Sequence, residues 1–481
     1  MLVFSARLCY IKRRVSNPNQ GLHMAPKKLK FTLIGAGSAS FAPSTISDIL
    51  LNDRINTVPV SIALMDINAE AMAQTEQYAK DALAIAKREN VTITATTCLE
   101  KSLEDADYVV CAIDAKRFYY WSMDFHIPRR YGFRHIFGEN GGPGGMFHAL
   151  RNIPHIVNIA RKMEQICPDA WILNYSNPEA KIVESVLRLT KTKAVGLCHG
   201  DFIGIRQVSQ LLGIPAEEIE VELVGINHFG LFTQIKRRGT GEDLYPLLRE
   251  RDLKIDLLAH WDDYALPRIF MRTFGLFPYC GTNHMGEYLG WADEFHASSK
   301  AQYFTDLAKN DPWNGGKVPS FIYSGLPDRK FELPDPAAKD WSRDWRFLLK
   351  DGKLNGSCEC GIPIAEGISF DLKRDIGAVN VQNHGFAPNL LDGMVIEIGA
   401  VADAQGLHAK KAPELPTAIA DMLNRQGAIQ KLIMEAYRDQ SRNKLLQALL
   451  IDPTLSNYTN AVALINEMCE RQKEILPEMN W

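Results

Sequence analysis

Leu29-Lys30-Phe31-Thr32-Leu33-Ile34-Gly35-Ala36-Gly37-Ser38-Ala39-Ser40 is the stretch from which the fold can be read. An apolar, β-rich run ending at glycine predicts a buried strand over 29–35. Pro43 opens a helical stretch that runs to 51, since proline is tolerated in a first helical turn. A strand, a glycine turn and a helix in that order make a phosphate cradle. Gly35 permits the tight turn, Gly37 lets backbone approach a pyrophosphate, and the helix N-terminus offers free N–H groups and the positive end of its dipole. The third glycine of the usual pattern is Ser40 here, so the turn alone is a weak signal. Residues 58–65 read as a second strand closed by Asp66, whose carboxylate can accept from both hydroxyls of an adenosine ribose and would repel a 2′-phosphate. That favours NAD over NADP. The blander alternative is a plain βα turn with Asp66 capping the next helix.

The alternation continues. Helical spacing over 68–88 leads to a third strand at 91–97, and 108–113 reads as a fourth. A long amphipathic helix covers 146–166, followed by a strand at 170–173, a helix at 178–190, a strand at 194–197 and a helix at 201–212. Strands alternating with helices imply parallel βαβ units in an α/β, Rossmann-type doubly wound parallel sheet. The texture changes at Pro215 and Ala216. Beyond 220 a mixed α+β, helix-rich second domain is expected, mainly helical over 415–479. The expected division is an N-terminal extension over 1–29, a dinucleotide-binding domain over 30–214 and a second domain over 215–481.

With 481 residues, 46% hydrophobic and 23% charged, the chain has an ordinary globular composition and room for large cores. Lys+Arg 54 against Asp+Glu 57 leaves a net charge of −3, which points away from nucleic acid or a membrane surface as partner. No apolar run reaches the roughly 18 residues that a bilayer span needs. The nine cysteines are odd in number and sparse, and they read as reduced thiols in a cytoplasm. In the leader, Lys12, Arg13 and Arg14 follow a weak apolar start, the reverse of a secretory signal. A natural start at Met24, or a disordered extension, is the expectation there.

Four segments place polar residues outside strand ends, where a doubly wound sheet gathers its ligands. They are Gly138-Glu139-Asn140-Gly141-Gly142-Pro143-Gly144-Gly145, Asn174-Tyr175-Ser176-Asn177-Pro178, Cys198-His199-Gly200 and Gly225-Ile226-Asn227-His228. A thiolate from Cys198 and an imidazole from His228 suit a divalent transition ion. Two protein ligands would leave positions open for substrate and water. Taken singly, a buried cysteine is more often an inert small hydrophobe, and a lone histidine a hydrogen-bonded structural residue. Asn177, biased toward an extended conformation by Pro178, can offer its amide to hydroxyls or cap the following helix. The glycine run can bring backbone near a flat ring, or be a loop before a helix. Asp114, Lys116 and Arg117 follow the fourth strand and reach either the cleft or solvent.

Together these segments resemble glycoside hydrolase family four, the NAD- and manganese-dependent glycosidases, which depart from two-carboxylate glycoside hydrolysis. The likeness spans about residues 30–453 and rests on the order and spacing of several motifs. These are GAGS at 35–38, ALMD at 63–66, the glycine run ending in Ala149-Leu150-Arg151, NYSNP at 174–178, CHG at 198–200, GINHFG at 225–230, and Asn380-Val381-Gln382-Asn383-His384-Gly385 before Asn389-Leu390. The resemblance implies Cys198 and His228 as metal ligands, Asn177 as a substrate-binding residue, and Gly35, Gly37, Ser38 and Asp66 as the cofactor site. Glu139, with Asn140 beside it, falls where relatives carry an acidic residue and is a candidate for sugar binding. The branch acting on 6-phospho-α-glycosides usually has an aspartate, proposed as general acid, after the metal cysteine. His199 stands there, as in branches resembling α-glucosidases, α-galactosidases and α-galacturonidases, which implies an unphosphorylated α-hexoside or α-uronide.

The implied reaction starts with NAD taking hydride from C3 of the sugar. The ketone acidifies the C2 proton, the metal polarises the carbonyl, a base removes the proton and the C1 group is eliminated. Water adds at C1, and NADH returns the hydride, with no net redox. The base falls within Phe277-Pro278-Tyr279-Cys280-Gly281-Thr282-Asn283-His284-Met285-Gly286-Glu287-Tyr288, with His284 preferred and Tyr279 the alternative. On a helix, His284 and Glu287 would share one face. The family also implies a homodimer or homotetramer, with the second domain carrying metal, substrate and subunit contacts. Arg272, Lys116 and Arg117 are candidates to meet a substrate carboxylate. Two other readings compete: an NAD-dependent dehydrogenase of the lactate or malate type, which needs no metal thiolate, and a catalytically silent NAD-binding regulator.

Overall fold

The computed structural model describes residues 26–38, 41–115, 117–255, 264–292, 352–455 and 457–481. The leader up to residue 25, Ser40 and Lys116 fall outside the described residues. Six parallel strands form the first half of the sheet. They are β1 (Leu29–Ile34), β2 (Val60–Met65), β3 (Val91–Thr96), β4 (Tyr108–Cys111), β5 (Trp171–Asn174) and β6 (Lys193–Gly196), in the order β3-β2-β1-β4-β5-β6. β1 and β4 are apolar almost throughout because both faces are covered. Side chains alternate across the sheet. Leu33 therefore joins the core beneath the helices Phe41–Leu51, Ala69–Ala86 and Gly361–Ser369, while Ile34 joins the core beneath Gly142–Ile166.

The sheet crosses the expected division at 214/215 without a break. β7 (Ile219–Ile226), β8 (Phe229–Arg237), β9 (Phe277–Pro278), β10 (Arg374–Gln382), β11 (Val395–Asp403) and β12 (Gly406–Ala409) extend it to 12 strands, in the order β6-β10-β11-β7-β8-β9 with β12 on β11. All of these pairings are antiparallel. The helical end also links the two halves. Helix Thr417–Asp439 begins against the second-half core through Ile419 and Leu423 and ends against the first-half core through Ile429 and Ile433. Helices Arg442–Ile451 and Tyr458–Arg471 follow it onto Phe147 and Leu150. Among the described residues no helix is long and apolar enough to cross a membrane.

The helix expected over 146–166 starts at Gly142, with Pro143 in its first turn. Its Arg151 is fully buried and pairs with buried Asp124, donates to Gln472 Oε1 at 2.8 Å and lies over the Tyr120 ring. The residue that ends the glycine-run motif therefore ties three segments of the core together. Arg151→Ala strands a buried carboxylate and should cost about 3–5 kcal/mol. Chemical unfolding checks this, and a midpoint within error of the parent would refute it.

Candidate active site

β1 ends at Gly35, whose backbone is left-handed (φ +81) and packs so closely on the chain after β4 that a Cβ would lie 2.2 Å from the Ala112 carbonyl oxygen. Gly37 N–H donates to Asp66 Oδ2 at 2.6 Å, and Asp66 Oδ1 accepts from Asn68 N–H at 2.8 Å. Asp66 thus braces the turn from the tip of β2. Ser38 Oγ accepts from Phe41 N–H at 3.2 Å and caps the first helix.

Three side chains converge beyond the strand ends. Glu139, His228 and His284 place donor atoms within 4.8 Å of one another. His228 occupies the two-residue turn between β7 and β8, with Ile226 and Phe229 paired on either side. Its backbone is left-handed (φ +66), a conformation costing a non-glycine residue about 1–2 kcal/mol and typical of over-determined functional positions. Burial, reinforced by the nearby charges of His284, His199, Arg117 and Lys181, holds its imidazole far below the usual value. It is therefore neutral and has a lone pair to give. Its Nδ1 has no hydrogen-bond partner among the described residues. The two histidine rings stand 4.2 Å apart. Glu139 comes from the loop before helix Gly142–Ile166 and pairs with Arg117. Its carbonyl faces His148 Nδ1 at 2.8 Å, and His148 Nε2 faces Asp114 Oδ2 at 3.2 Å. Asp114 is two residues past the Ala112 that packs on Gly35, so these contacts link the glycine turn to the donor group.

Cys198 stands outside that group. It is half-buried in the loop after β6, and burial, with the charges of Glu397 and Cys280, pushes its thiol well above the usual value. His199 caps helix Gly200–Leu212, and its Nδ1 lies 3.2 Å from Glu359 Oε1. Burial opposes protonation of His199, but the Glu359 carboxylate outweighs it and raises the pKa. Asn177 accepts from Asn152 Nδ2 through its carbonyl at 2.7 Å, and Pro178, rather than Asn177, is the cap of helix Glu179–Leu189. Asn140 is buried, and neither atom of its amide has a hydrogen-bond partner among the described residues.

Tyr279 is fully buried, and its hydroxyl donates to Glu397. Burial and the Glu397 and Cys280 charges push that phenol well above its usual value, the opposite of what a base needs. His284 and Glu287 do not share a helix face, because helix Thr282–Met285 ends between them and Glu287 turns inward. Arg272 is committed to Asp252 and the Ile255 carbonyl and cannot serve a substrate carboxylate. Gly142 to Gly145 lie in the first turn of helix Gly142–Ile166. Glu359 and Glu397 escaped sequence reading: each is a lone acid far from the motifs, and only the folded chain brings it to Cys198-His199.

The model for the Family 4 glycosyl hydrolase matches residues 30–214, and that for the Family 4 glycosyl hydrolase C-terminal domain matches 223–455. The chain belongs to the family 4 glycosyl hydrolases. Among curated relatives, it is 31% identical over 492 residues to an alpha-glucosidase of Erwinia rhapontici, covering 94% of this chain and 99% of that protein. It is 30% identical over 458 residues to an alpha-galactosidase of Bacillus subtilis, covering 93% of this chain and 99% of that protein. A solved 6-phospho-alpha-glucosidase from gut microorganisms, in complex with NAD and Mn2+, superposes with a TM-score of 0.74 at 24% identity, covering 94% of this chain and 100% of that one. This glycosidase therefore has the fold of the solved family structures.

Tyr279→Phe tests whether the hydroxyl serves the core or the chemistry. Removing the hydroxyl leaves buried Glu397 short of a donor and should cost about 1–3 kcal/mol of stability, with turnover kept within an order of magnitude. A loss of about 100-fold or more, the size of a missing general base, at unchanged stability would return Tyr279 to that role.

Proposed function

We propose that this family 4 glycosyl hydrolase cleaves an unphosphorylated α-hexoside or α-uronide, with NAD and a divalent metal ion such as Mn2+ as resident cofactors. One observation carries the reading. A neutral, buried His228 with an unpartnered ring nitrogen shares a 4.8 Å space with His284 and Glu139, linked by contacts to a glycine turn of dinucleotide-binding shape. The relatives named for glucosides and galactosides support the unphosphorylated substrate, as does His199 in place of an aspartate. The solved relative with NAD and Mn2+ supports the cofactors.

When bound, NAD supplies hydride exchange at the sugar and the divalent ion supplies Lewis-acid polarisation of its oxygens. The remaining work falls to this chain's side chains. Gly35, Gly37 and Ser38 shape the pyrophosphate turn, and Asp66 stands at its edge for the ribose. His228 and Cys198 would hold the ion. Asn177, Asn140 and Glu139 bind sugar hydroxyls, which would satisfy the unpartnered Asn140 amide. His284 takes the C2 proton, and His199, whose protonated form the neighbouring Glu359 favours, serves the leaving group. The grouping of Glu139 with both histidines favours a second reading, in which Glu139 and His284 are themselves metal ligands. A homodimer or homotetramer is the proposed assembly.

Mn2+ titration followed by electron paramagnetic resonance separates the two readings. His228→Ala should abolish binding under both. In the first, Cys198→Ser weakens Mn2+ binding by about 10-fold or more, while His284→Ala binds Mn2+ normally and fails to turn over p-nitrophenyl glycosides. In the second, His284→Ala loses the ion and Cys198→Ser keeps it.

Metal binding at Cys198 must also release a proton, because burial holds the thiol well above its usual value. His228 is already neutral across the working range. Mn2+ affinity should therefore rise with pH, by about tenfold per unit below the thiol's titration. An affinity independent of pH between 6 and 9 would remove Cys198 from the ligand set.

A further inference from the structure

We infer that Glu287 is a positioning residue, which clamps the Glu139-Asn140 backbone and so aims both side chains at the sugar. Glu287 is fully buried, and both of its oxygens are engaged. One accepts from Glu139 N–H and from Asn140 N–H at 3.0 Å, and the other accepts from Asn140 N–H at 3.1 Å. The opposite side of the same loop is held as firmly, since the Asn140 carbonyl accepts from the buried Lys181 ammonium, itself 5.8 Å from the Tyr288 ring centroid. Gly141 makes the approach possible: a Cβ there would lie 2.6 Å from both the Cβ and the carbonyl oxygen of Glu287.

One short turn thereby reaches every member of the donor group. His284 belongs to its start. Glu287 fixes the backbone of Glu139. Tyr288 donates through its hydroxyl to the Asn227 carbonyl at 3.1 Å, one residue before His228. The position needs an acceptor oxygen. One oxygen takes both N–H groups, and a side chain without it would leave two buried N–H groups unpaired. In a water-poor interior that loss moves the loop, and displacements of about 1 Å at a reacting centre cost on the order of 100-fold in rate.

The inference rests on the reading of Glu139 as a sugar-facing group, and a double-mutant cycle tests the two separately. Glu287→Met, Glu139→Gln and the double variant are assayed with NAD and Mn2+ on p-nitrophenyl α-glucoside, α-galactoside and α-galacturonide. NAD affinity is followed by fluorescence. Glu287→Met, which removes the acceptor, should lower kcat by about 10–100-fold with NAD affinity retained, and the double variant should be no slower than Glu139→Gln alone. A merely structural role would instead give multiplying losses. If Glu139→Gln is impaired but the losses multiply, or Glu287→Met turns over like the parent, the clamp is overturned and the reading of Glu139 stands. If Glu139→Gln turns over normally, that reading falls and the clamp with it. Should Glu287→Met fail to fold by circular dichroism, Lys181→Met frees the other side of the loop, and the same cycle with Glu139→Gln decides.

Discussion

A lateral row across four strands sets where everything else in the site can be. Gly196 on β6 pairs with Asn380 on β10, Asn380 with Glu397 on β11, and Glu397 with Gly225 on β7. Cys198 and His228 lie two and three residues beyond the ends of this row, in the loops that leave β6 and β7. Backbone pairing is directional and has a fixed spacing, so the row fixes the two loops relative to each other although β6 and β7 are not neighbours. The glycines matter here. A Cβ on Gly196 would lie 1.1 Å from a Glu179 carboxylate oxygen, and one on Gly225 would lie 2.4 Å from the Gly230 Cα.

The interior beneath the site is polar and mostly uncharged, as burial demands. Asn380 Nδ2 donates to Glu397 at 3.1 Å and Tyr279 donates to the same carboxyl, yet burial still lifts Glu397 to about 7. Glu179 beside it is raised well above the usual value by burial and by Glu397, and His228 is held neutral. Removing charges from water favours whichever protonation state is neutral. The consequence for chemistry is a cleft whose imidazole is ready to donate a lone pair, while Cys198 keeps its proton until something displaces it. The exception is His199, whose pKa Glu359 raises against the effect of burial.

Rigid support and functional atoms come from different parts of the chain. Glu139 sits in a loop braced by Glu287 and Lys181, and His228 in a strained turn whose carbonyl neighbour is held by Tyr288. Such outer contacts are what give a reactive constellation its geometry. They also explain why the glycine run is needed. Its residues let helix Gly142–Ile166, the Glu139 loop and the turn at 286–288 share a space that side chains would fill.

The first half of the chain was legible because local rules govern it. Alternating β-rich runs and helical spacing yield parallel βαβ units wherever they occur. The strands at 29–34, 60–65 and 108–111 lie within the expected stretches. Motif order likewise carried the family, and with it the glycosidase. What local rules cannot supply is which distant residues meet. The sequence offers no sign that β10 inserts beside β6, that the C-terminal helices cover the first half, that Tyr279 faces inward to Glu397, or that Glu287 is spent on backbone rather than on chemistry. Each depends on apolar faces and buried polar groups finding partners more than a hundred residues away. Periodicity tells a segment that it has a face to bury, and only the packed structure decides against what.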